Sequence, residues 1–205
     1  MYGFHRSVAT RVTSSVPFDW TLPEPRWPDF TERTLDSVPR YRGTLLDVHE
    51  DRVQLPDGRE ATREYIRHQG AAAIVPLLDE KTVLLEYQYR YPQRRHYLEI
   101  PAGKLDPEED PLKAAQRELQ EETGYRAKRW KKLMRLDLCI AYSTEQITYF
   151  LAEDLVFEEI RRDEEEFLET LAVPLEEAWR WVETGRICDA KTVAGLLWLK
   201  TLSPT

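Results

Sequence analysis

Cysteine is scarce in this sequence of 205 residues, which contains only Cys139 and Cys188. Two cysteines cannot build a disulfide scaffold or a cysteine-rich zinc site, and we expect reduced thiols in a cytoplasmic protein. The eight glycines are scattered and form neither a P-loop nor a dinucleotide-binding fingerprint. No apolar run approaches the roughly 20 residues of a membrane span, so no membrane partner is expected.

Positive charge is also in deficit. The chain has 29 Lys and Arg against 37 Asp and Glu, a formal net charge of −8. Such a chain repels the phosphate backbone of nucleic acids and anionic membranes, so no nucleic-acid partner is expected. Hydrophobic residues make up 41% of the chain, enough to build a core and to exclude global disorder. A polyanionic ligand would need something other than net charge to hold it.

Three regions of different composition divide the chain. Residues 1–40 contain five prolines and are predicted to form an extended, proline-rich arm. Residues 41–69 contain strand-like segments around a Pro56-Asp57-Gly58 turn, which predicts a small antiparallel β-subdomain. Residues 70–205 are predicted to form the main domain, of the α+β class, in which a mixed sheet lies between helical layers.

The main domain begins with a continuous apolar run at residues 71–78, typical of a strand covered on both faces. Further strands are expected at 82–92 and 96–103. Asp110-Pro111 then predicts the start of a helix, with Asp as N-cap and Pro in the first turn, and Gly124 predicts its end. Two more helices are expected at the end of the chain.

Glutamates concentrate on one flank of the helix that follows Asp110. Glu118, Glu121 and Glu122 are spaced i, i+3 and i+4, so they project from one side of the helix, beside its apolar stripe. Carboxylates this close repel each other, and a divalent cation removes the repulsion. Oxygen ligands without Cys or His favour Mg²⁺ or Mn²⁺ over zinc. The alternative is a solvated acidic face paired with Arg117 and Lys113.

The residues around these glutamates follow a longer pattern. It has the form Gly-x5-Glu-x7-Arg-Glu-U-x-Glu-Glu-x-Gly-U, where U is bulky and apolar. This pattern resembles the signature of the Nudix hydrolase family, with Tyr125 in the last position where Ile, Leu or Val is usual. The matching residues are Gly103, Glu109, Arg117, Glu118, Leu119, Glu121, Glu122 and Gly124.

The resemblance implies a Nudix α/β/α sandwich that hydrolyses a nucleoside diphosphate linked to another group. It implies two or three Mg²⁺ or Mn²⁺ ions, bound by Glu118, Glu121, Glu122 and the backbone carbonyl of Ala102. It also assigns a catalytic role to Glu121 and Glu122. By the same resemblance, Arg117 orients the glutamates and Glu109 braces the loop before the helix.

Similarity to the ADP-ribose pyrophosphatase branch of the family extends over most of residues 41–200. Five segments carry it: Thr62-Arg63-Glu64, Gln88-Tyr89-Arg90, Glu99-Ile100-Pro101-Ala102-Gly103, Ser143-Thr144-Glu145, and Asp189-Ala190-Lys191-Thr192, which leads into the last helix. They imply that Arg63, Arg90 and Glu99 bind the substrate, Arg63 often from across a dimer interface. Ser143-Thr144-Glu145 resembles the loop whose glutamate acts as general base or orients water. The resemblance therefore implies a homodimer that exchanges its N-terminal β-subdomains.

Several alternatives remain open at this point. Members specific for ADP-ribose commonly carry a proline shortly after the motif, but no proline occurs here between Pro111 and Pro174. There are three competing hypotheses. The substrate is another nucleotide sugar such as GDP-mannose, the chain is a Nudix module that senses ADP-ribose without cleaving it, or it is an unrelated acidic interaction domain. The acidic segment 153–169 has no assigned function, and a solvated linker is its expected structure.

Overall fold

The computed structural model describes residues 28–160 and 167–202. A small antiparallel sheet comes first, with strand order β1-β2-β3: β1 is Arg33–Arg42, β2 is Asp47–Gln54 and β3 is Glu60–Arg67. The Pro56-Asp57-Gly58 turn joins β2 to β3, and Gly58 adopts a positive φ of 88° there. The predicted antiparallel character of this region is confirmed.

The first strand begins earlier than expected. Residues 33–40 belong to β1, although the sequence predicts an irregular arm as far as residue 40. Pro39 lacks a backbone N–H, but β1 is an edge strand of its sheet and its pairing with β2 is irregular next to Pro39. Edge strands and bulges are the places where a sheet tolerates proline. The rest of the predicted arm, residues 1–27, lies outside the described residues.

A seven-stranded mixed sheet forms the main body, with the order β10-β5-β4-β9-β8, while β6 pairs with β5 and β7 with β4. The β4–β9 pair is parallel and the other pairs are antiparallel. The strands are β4 Ala71–Asp79, β5 Thr82–Arg90, β6 Arg95–Glu99, β7 Ala102–Lys104, β8 Tyr125–Asp137, β9 Gln146–Phe157 and β10 Leu168–Pro174.

Helices cover this sheet on both faces. The helices are α1 Pro111–Thr123, α2 Leu175–Glu183 and α3 Ala190–Leu202, and a 3₁₀ turn spans Tyr91–Gln93. Alternate residues of β4 separate the two layers: Ile74 packs with Leu119 of α1, whereas Val75 packs with residues of α2 and α3. This arrangement confirms the predicted α/β/α sandwich with a mixed sheet.

The acidic segment 153–169 forms strand at both of its ends, where the sequence predicts a solvated linker. Its first five residues extend β9 to Phe157, and its last two begin β10. Residues 161–166 lie outside the described residues. No helix in the described ranges is long and apolar enough to cross a membrane.

Candidate active site

Local signals fix both ends of α1. The Asp110 side chain accepts hydrogen bonds from the backbone N–H groups of Leu112 and Lys113, at 3.0 and 3.2 Å. At the other end, Gly124 has a φ of 77° and donates its N–H to the carbonyl of Gln120. These caps set where the helix begins and ends, and so which side chains face the sheet.

The three glutamates of α1 line a cleft of about 940 Å³. Glu118 and Glu122 are buried, and Glu121 is half-buried. A Cβ atom at Gly103 would lie 1.7 Å from Oε1 of Glu118, so the absence of a side chain lets β7 pass this close to the carboxylate. The cleft thus brings together Ala102 and the three glutamates, the four residues predicted as metal ligands.

Arg117 is the centre of a network of acidic residues beside the cleft. Its guanidinium donates to both carboxylate oxygens of Glu109, at 3.2 and 3.0 Å, to Glu118 at 2.7 Å and to Glu121 at 3.1 Å. A further bond reaches the carbonyl of Lys104. The hydrogen bonds to Glu109, with the charges around it, raise the pKa of Arg117 above its ordinary value. Arg117 therefore remains charged and holds the glutamates in place.

Glu109 joins this network to the loop that precedes α1. Besides contacting Arg117, it accepts a 2.9 Å hydrogen bond from the backbone N–H of Asp106. The hydrogen bonds from Arg117 and Asp106 hold the pKa of Glu109 below its usual value. The contacts expected of Glu109 and Arg117 are therefore present.

A second charged cluster also lines the cleft. Arg90 binds Glu99 in a bidentate pair, with both N–O distances at 2.8 Å. Lys191 also donates to Glu99, and to Asp189 at 2.8 Å. Burial acts to raise the pKa of Glu99, but Arg90 and Lys191 outweigh it and hold the pKa below its usual value. Arg90 and Glu99 thus reach the cleft as predicted.

Lys191 and Asp189 were not among the predicted site residues, yet both line the cleft. Asp189 accepts 2.6 and 3.0 Å bonds from the hydroxyl and N–H of Thr192, and that hydroxyl accepts from the N–H of Ile100 at 2.9 Å. The start of α3 is thereby tied to the strand region that leads into the motif. An Asp just before an apolar helical segment is the sequence signal that could have indicated this position.

Glu145 reaches the cleft from the 138–145 loop between β8 and β9. Its N–H donates to the Ser143 hydroxyl at 3.1 Å, and its carbonyl accepts from Leu138 at 2.9 Å. These bonds close the loop at its base, so Glu145 enters the cleft from a hydrogen-bonded turn.

Arg63 is the predicted site residue that does not line the cleft of its own chain. It lies on β3 and makes two hydrogen bonds to the carboxylate of Glu32, at 2.9 and 2.5 Å. The bonds to Glu32 raise the pKa of Arg63. Within one chain, Arg63 therefore belongs to the surface of the small sheet.

Comparison with known proteins agrees with this geometry. Residues 67–196 match the family described as NUDIX domain, and residues 32–66 match the nucleoside diphosphate sugar hydrolase N-terminal domain. The chain belongs to the Nudix hydrolase family. The predicted resemblance is confirmed, and the junction between the two matches lies at the end of β3.

Relatives of this Nudix hydrolase align over most of their length. The ADP-ribose pyrophosphatase of Bacillus subtilis (strain 168) is 39% identical over 82% of this chain and 92% of its own. The methanol dehydrogenase activator of Bacillus methanolicus is 35% identical over 83% and 94%. The crystal structure of an ADP compounds hydrolase superposes with a TM-score of 0.77 at 24% identity, covering 86% of this chain and 96% of that one.

Nudix hydrolases generally use divalent metal ions. Among residues 28–160 and 167–202, no three His, Cys, Asp or Glu side chains adopt a ready-made metal-binding geometry. Arg117 instead occupies oxygens of Glu118 and Glu121. The donor set still fits a hard divalent cation, because the clustered oxygens come from carboxylates and Gly103 leaves room for the backbone to approach them.

Proposed function

We propose that this Nudix hydrolase cleaves the diphosphate bond of ADP-ribose or a related nucleoside diphosphate sugar. The products would be AMP and a sugar phosphate, which is ribose 5-phosphate for ADP-ribose. The observation that carries the proposal is a single cleft that is lined both by the carboxylates of α1 and by the Arg90–Glu99–Lys191 cluster. The similarity to the Bacillus subtilis enzyme supports the choice of substrate.

Two or three Mg²⁺ or Mn²⁺ ions would be held by Glu118, Glu121, Glu122 and the backbone carbonyl of Ala102. Bound there, the ions would neutralise the diphosphate and make a water molecule more acidic. Arg117 contacts one oxygen each of Glu118 and Glu121, so it would orient these two carboxylates for metal binding. This explains how an acidic protein can bind a polyanion.

Glu145 would orient the attacking water and accept its proton, with Glu121 and Glu122 completing the catalytic set. Glu145 lines the cleft from the loop between β8 and β9, whereas the other glutamates lie on helix α1. It can therefore contact the water independently of the carboxylates that would hold the metal. A carboxylate held at a cleft wall by a closed turn is suited to this role, because general-base catalysis requires a fixed hydrogen-bonding distance.

Arg90, Glu99 and Arg63 would bind the substrate. Arg90 would contact the diphosphate, Glu99 would hold Arg90 and Lys191 in position for it, and Arg63 would arrive from a second protomer in a homodimer. The surface position of Arg63 supports this arrangement, because a residue outside its own cleft remains available to a partner. The two free, exposed cysteines fit a reducing compartment such as the cytoplasm.

A substrate panel tests the proposal. ADP-ribose, GDP-mannose, ADP-glucose, NADH and diadenosine polyphosphates are each incubated with the protein and Mg²⁺, with Mn²⁺, or with EDTA. We expect metal-dependent release of AMP from ADP-ribose and no release with EDTA. Preferential cleavage of GDP-mannose would make GDP-mannose the preferred substrate in place of ADP-ribose. Tight binding of ADP-ribose without any cleavage would favour a Nudix module that senses ADP-ribose.

Glu122→Gln tests the role of the buried carboxylate. We expect kcat to fall by roughly a hundredfold or more, because a metal-assisted site loses a charged ligand while the shape is kept. The matched control is Glu80→Gln, in the exposed β4–β5 turn, which should leave activity unchanged. Thermal unfolding confirms that both variants fold, and near-normal activity of Glu122→Gln would contradict the metal assignment.

A further inference from the structure

The loop that carries Glu145 is attached to the small N-terminal sheet. The backbone N–H of Ile66 donates to the carbonyl of Tyr142 at 2.8 Å, and the N–H of Thr144 donates to the carbonyl of Ile66 at 3.0 Å. Ser143 therefore pairs with Ile66 as a short parallel bridge on the free edge of β3. The loop takes the place of a fourth strand in that sheet.

Thr144 adds a side-chain bond to this backbone pairing. Its hydroxyl accepts a 2.9 Å hydrogen bond from the N–H of His68 and lies 3.4 Å from the carbonyl of His68, to which it can donate. The same hydroxyl thus satisfies both backbone groups of one residue. Since His68 follows the last residue of β3 and lines the cleft, the bond joins the sheet to the cleft wall.

We propose that Thr144 is a positioning residue for Glu145, and that the attachment of the loop to β3 fixes the position from which Glu145 enters the cleft. Three observations carry this proposal. Thr144 is the residue next to Glu145, both hydrogen bonds of its hydroxyl go to the backbone of His68, and within the described residues the backbone pairing of the loop with β3 involves only Ile66.

The consequence for catalysis follows from how few bonds join the loop to the small sheet. Inside the loop, the N–H groups of Tyr142 and Ser143 donate to the carbonyl of Cys139, and the Leu138–Glu145 bond closes its base, but these bonds do not attach the loop to β3. Without the Thr144 hydroxyl, the loop would retain its backbone pairing and lose its side-chain anchor. A misplaced general base lowers turnover without weakening substrate binding, because the loss is confined to the transition state.

The test uses substitutions that differ in one hydroxyl group. Thr144→Val keeps the shape and removes the hydroxyl, and we expect kcat to fall by roughly three- to tenfold with KM nearly unchanged. Thr144→Ser restores the hydroxyl and should restore kcat. Thr34→Val, at an exposed position on β1, controls for the substitution itself and should have no effect.

Coupling to Glu145 is measured with a double variant. In the Glu145→Gln background, Thr144→Val should cause no further loss, because the group that it positions is already gone. An independent, additive loss or an unchanged kcat in Thr144→Val would overturn the proposal. Should Thr144→Val fail to fold, Thr144→Ala replaces it in the same cycle.

The inference rests on the proposed role of Glu145, and the two can fail separately. Glu145→Gln with full activity would remove the catalytic role and this inference together. A slow Glu145→Gln combined with an additive Thr144→Val would leave the proposed function intact and overturn only the positioning role.

Discussion

A single missing side chain shapes the candidate metal site. Gly103 has no Cβ, and the Glu118 carboxylate occupies the space that a Cβ would fill. Conformational freedom is not the reason for this glycine, because its φ is not among the positive values of the described residues. Close approach of strand and carboxylate is the reason, and it follows from packing alone.

Gly103→Ala is therefore expected to displace Glu118 and to raise the Mg²⁺ concentration required for half-maximal activity. Overpacking of this kind should also lower the free energy of unfolding by about 1–3 kcal/mol. The control is Gly58→Ala in the β2–β3 turn, where a Cβ meets nothing within 4 Å but φ is 88°. That variant should lose stability and keep its metal dependence; equal metal dependence in both variants would contradict the argument.

At the scale of elements, local signals predicted α1 with both of its ends. The Asp110 side chain caps the first turn, Pro111 occupies the first helical position and Gly124 ends the helix with a positive φ, so each signal acts within a few residues of its own position. The predicted start of the first strand was wrong. Residues 33–40 are held in β1 by their pairing with β2, which is a tertiary contact, and Pro39 argues against a strand at the level of local sequence. The predicted division into three domains stays a prediction, although the small sheet begins at Arg33.

The contact of Lys191 with the second charged cluster could not be predicted from local sequence signals either. Lys191 meets Glu99 across 92 residues of sequence, and no local pattern indicates that contact. The resemblance to a known family assigned Arg90 and Glu99 to the cleft, whereas the contact between Lys191 and Glu99 depends on how α3 packs near β6. The individual roles of the predicted site residues remain predictions.

Lys191→Met is expected to destabilise the protein in a pH-dependent way. Lys191 is the counter-charge of the buried Glu99 and the half-buried Asp189. Burial tends to raise the pKa values of both carboxyls, and their cationic and hydrogen-bonding partners lower them. A lowered pKa contributes stability above the unfolded value, and the contribution is lost as pH falls through the folded value. At pH 7 the variant should lose about 3 kcal/mol.

Urea unfolding at a series of pH values measures this effect. The difference between Lys191→Met and the native protein should shrink as pH falls below the usual carboxyl range, because protonated Glu99 and Asp189 no longer need a counter-charge. Lys200→Met, which removes an exposed lysine paired with Glu183 on the surface, is the control and should change little at any pH. A pH-independent difference would exclude the ionic explanation.

At the scale of the whole molecule, the described residues form a sandwich and a small sheet. The cleft is lined by all of the predicted site residues except Arg63, which lies on the small sheet. Arg63 is paired there with Glu32. The proposed homodimer would bring Arg63 to the cleft of the partner protomer. Light scattering after size-exclusion chromatography should then give about twice the chain mass of 24.2 kDa.

Arg63→Ala is expected to raise KM by roughly tenfold or more, since a charged hydrogen bond to a diphosphate contributes to substrate binding. Turnover at saturating substrate should change less. Arg59→Ala, in the exposed turn where Arg59 pairs with Asp57, is the matched control. An unchanged KM, or a monomer in solution, would contradict the proposed contact across the dimer.

The proline in β1 has a consequence for solubility. An edge strand presents unpaired backbone groups that can recruit further strands and start fibre growth. Pro39 removes one donor, and the two irregularities at Thr34–Asp36 and Pro39–Tyr41 interrupt the regular spacing that an added strand would need. On the other edge of the sheet, the 138–145 loop covers part of β3. Both edges of the small sheet are therefore protected against open-ended growth into fibres.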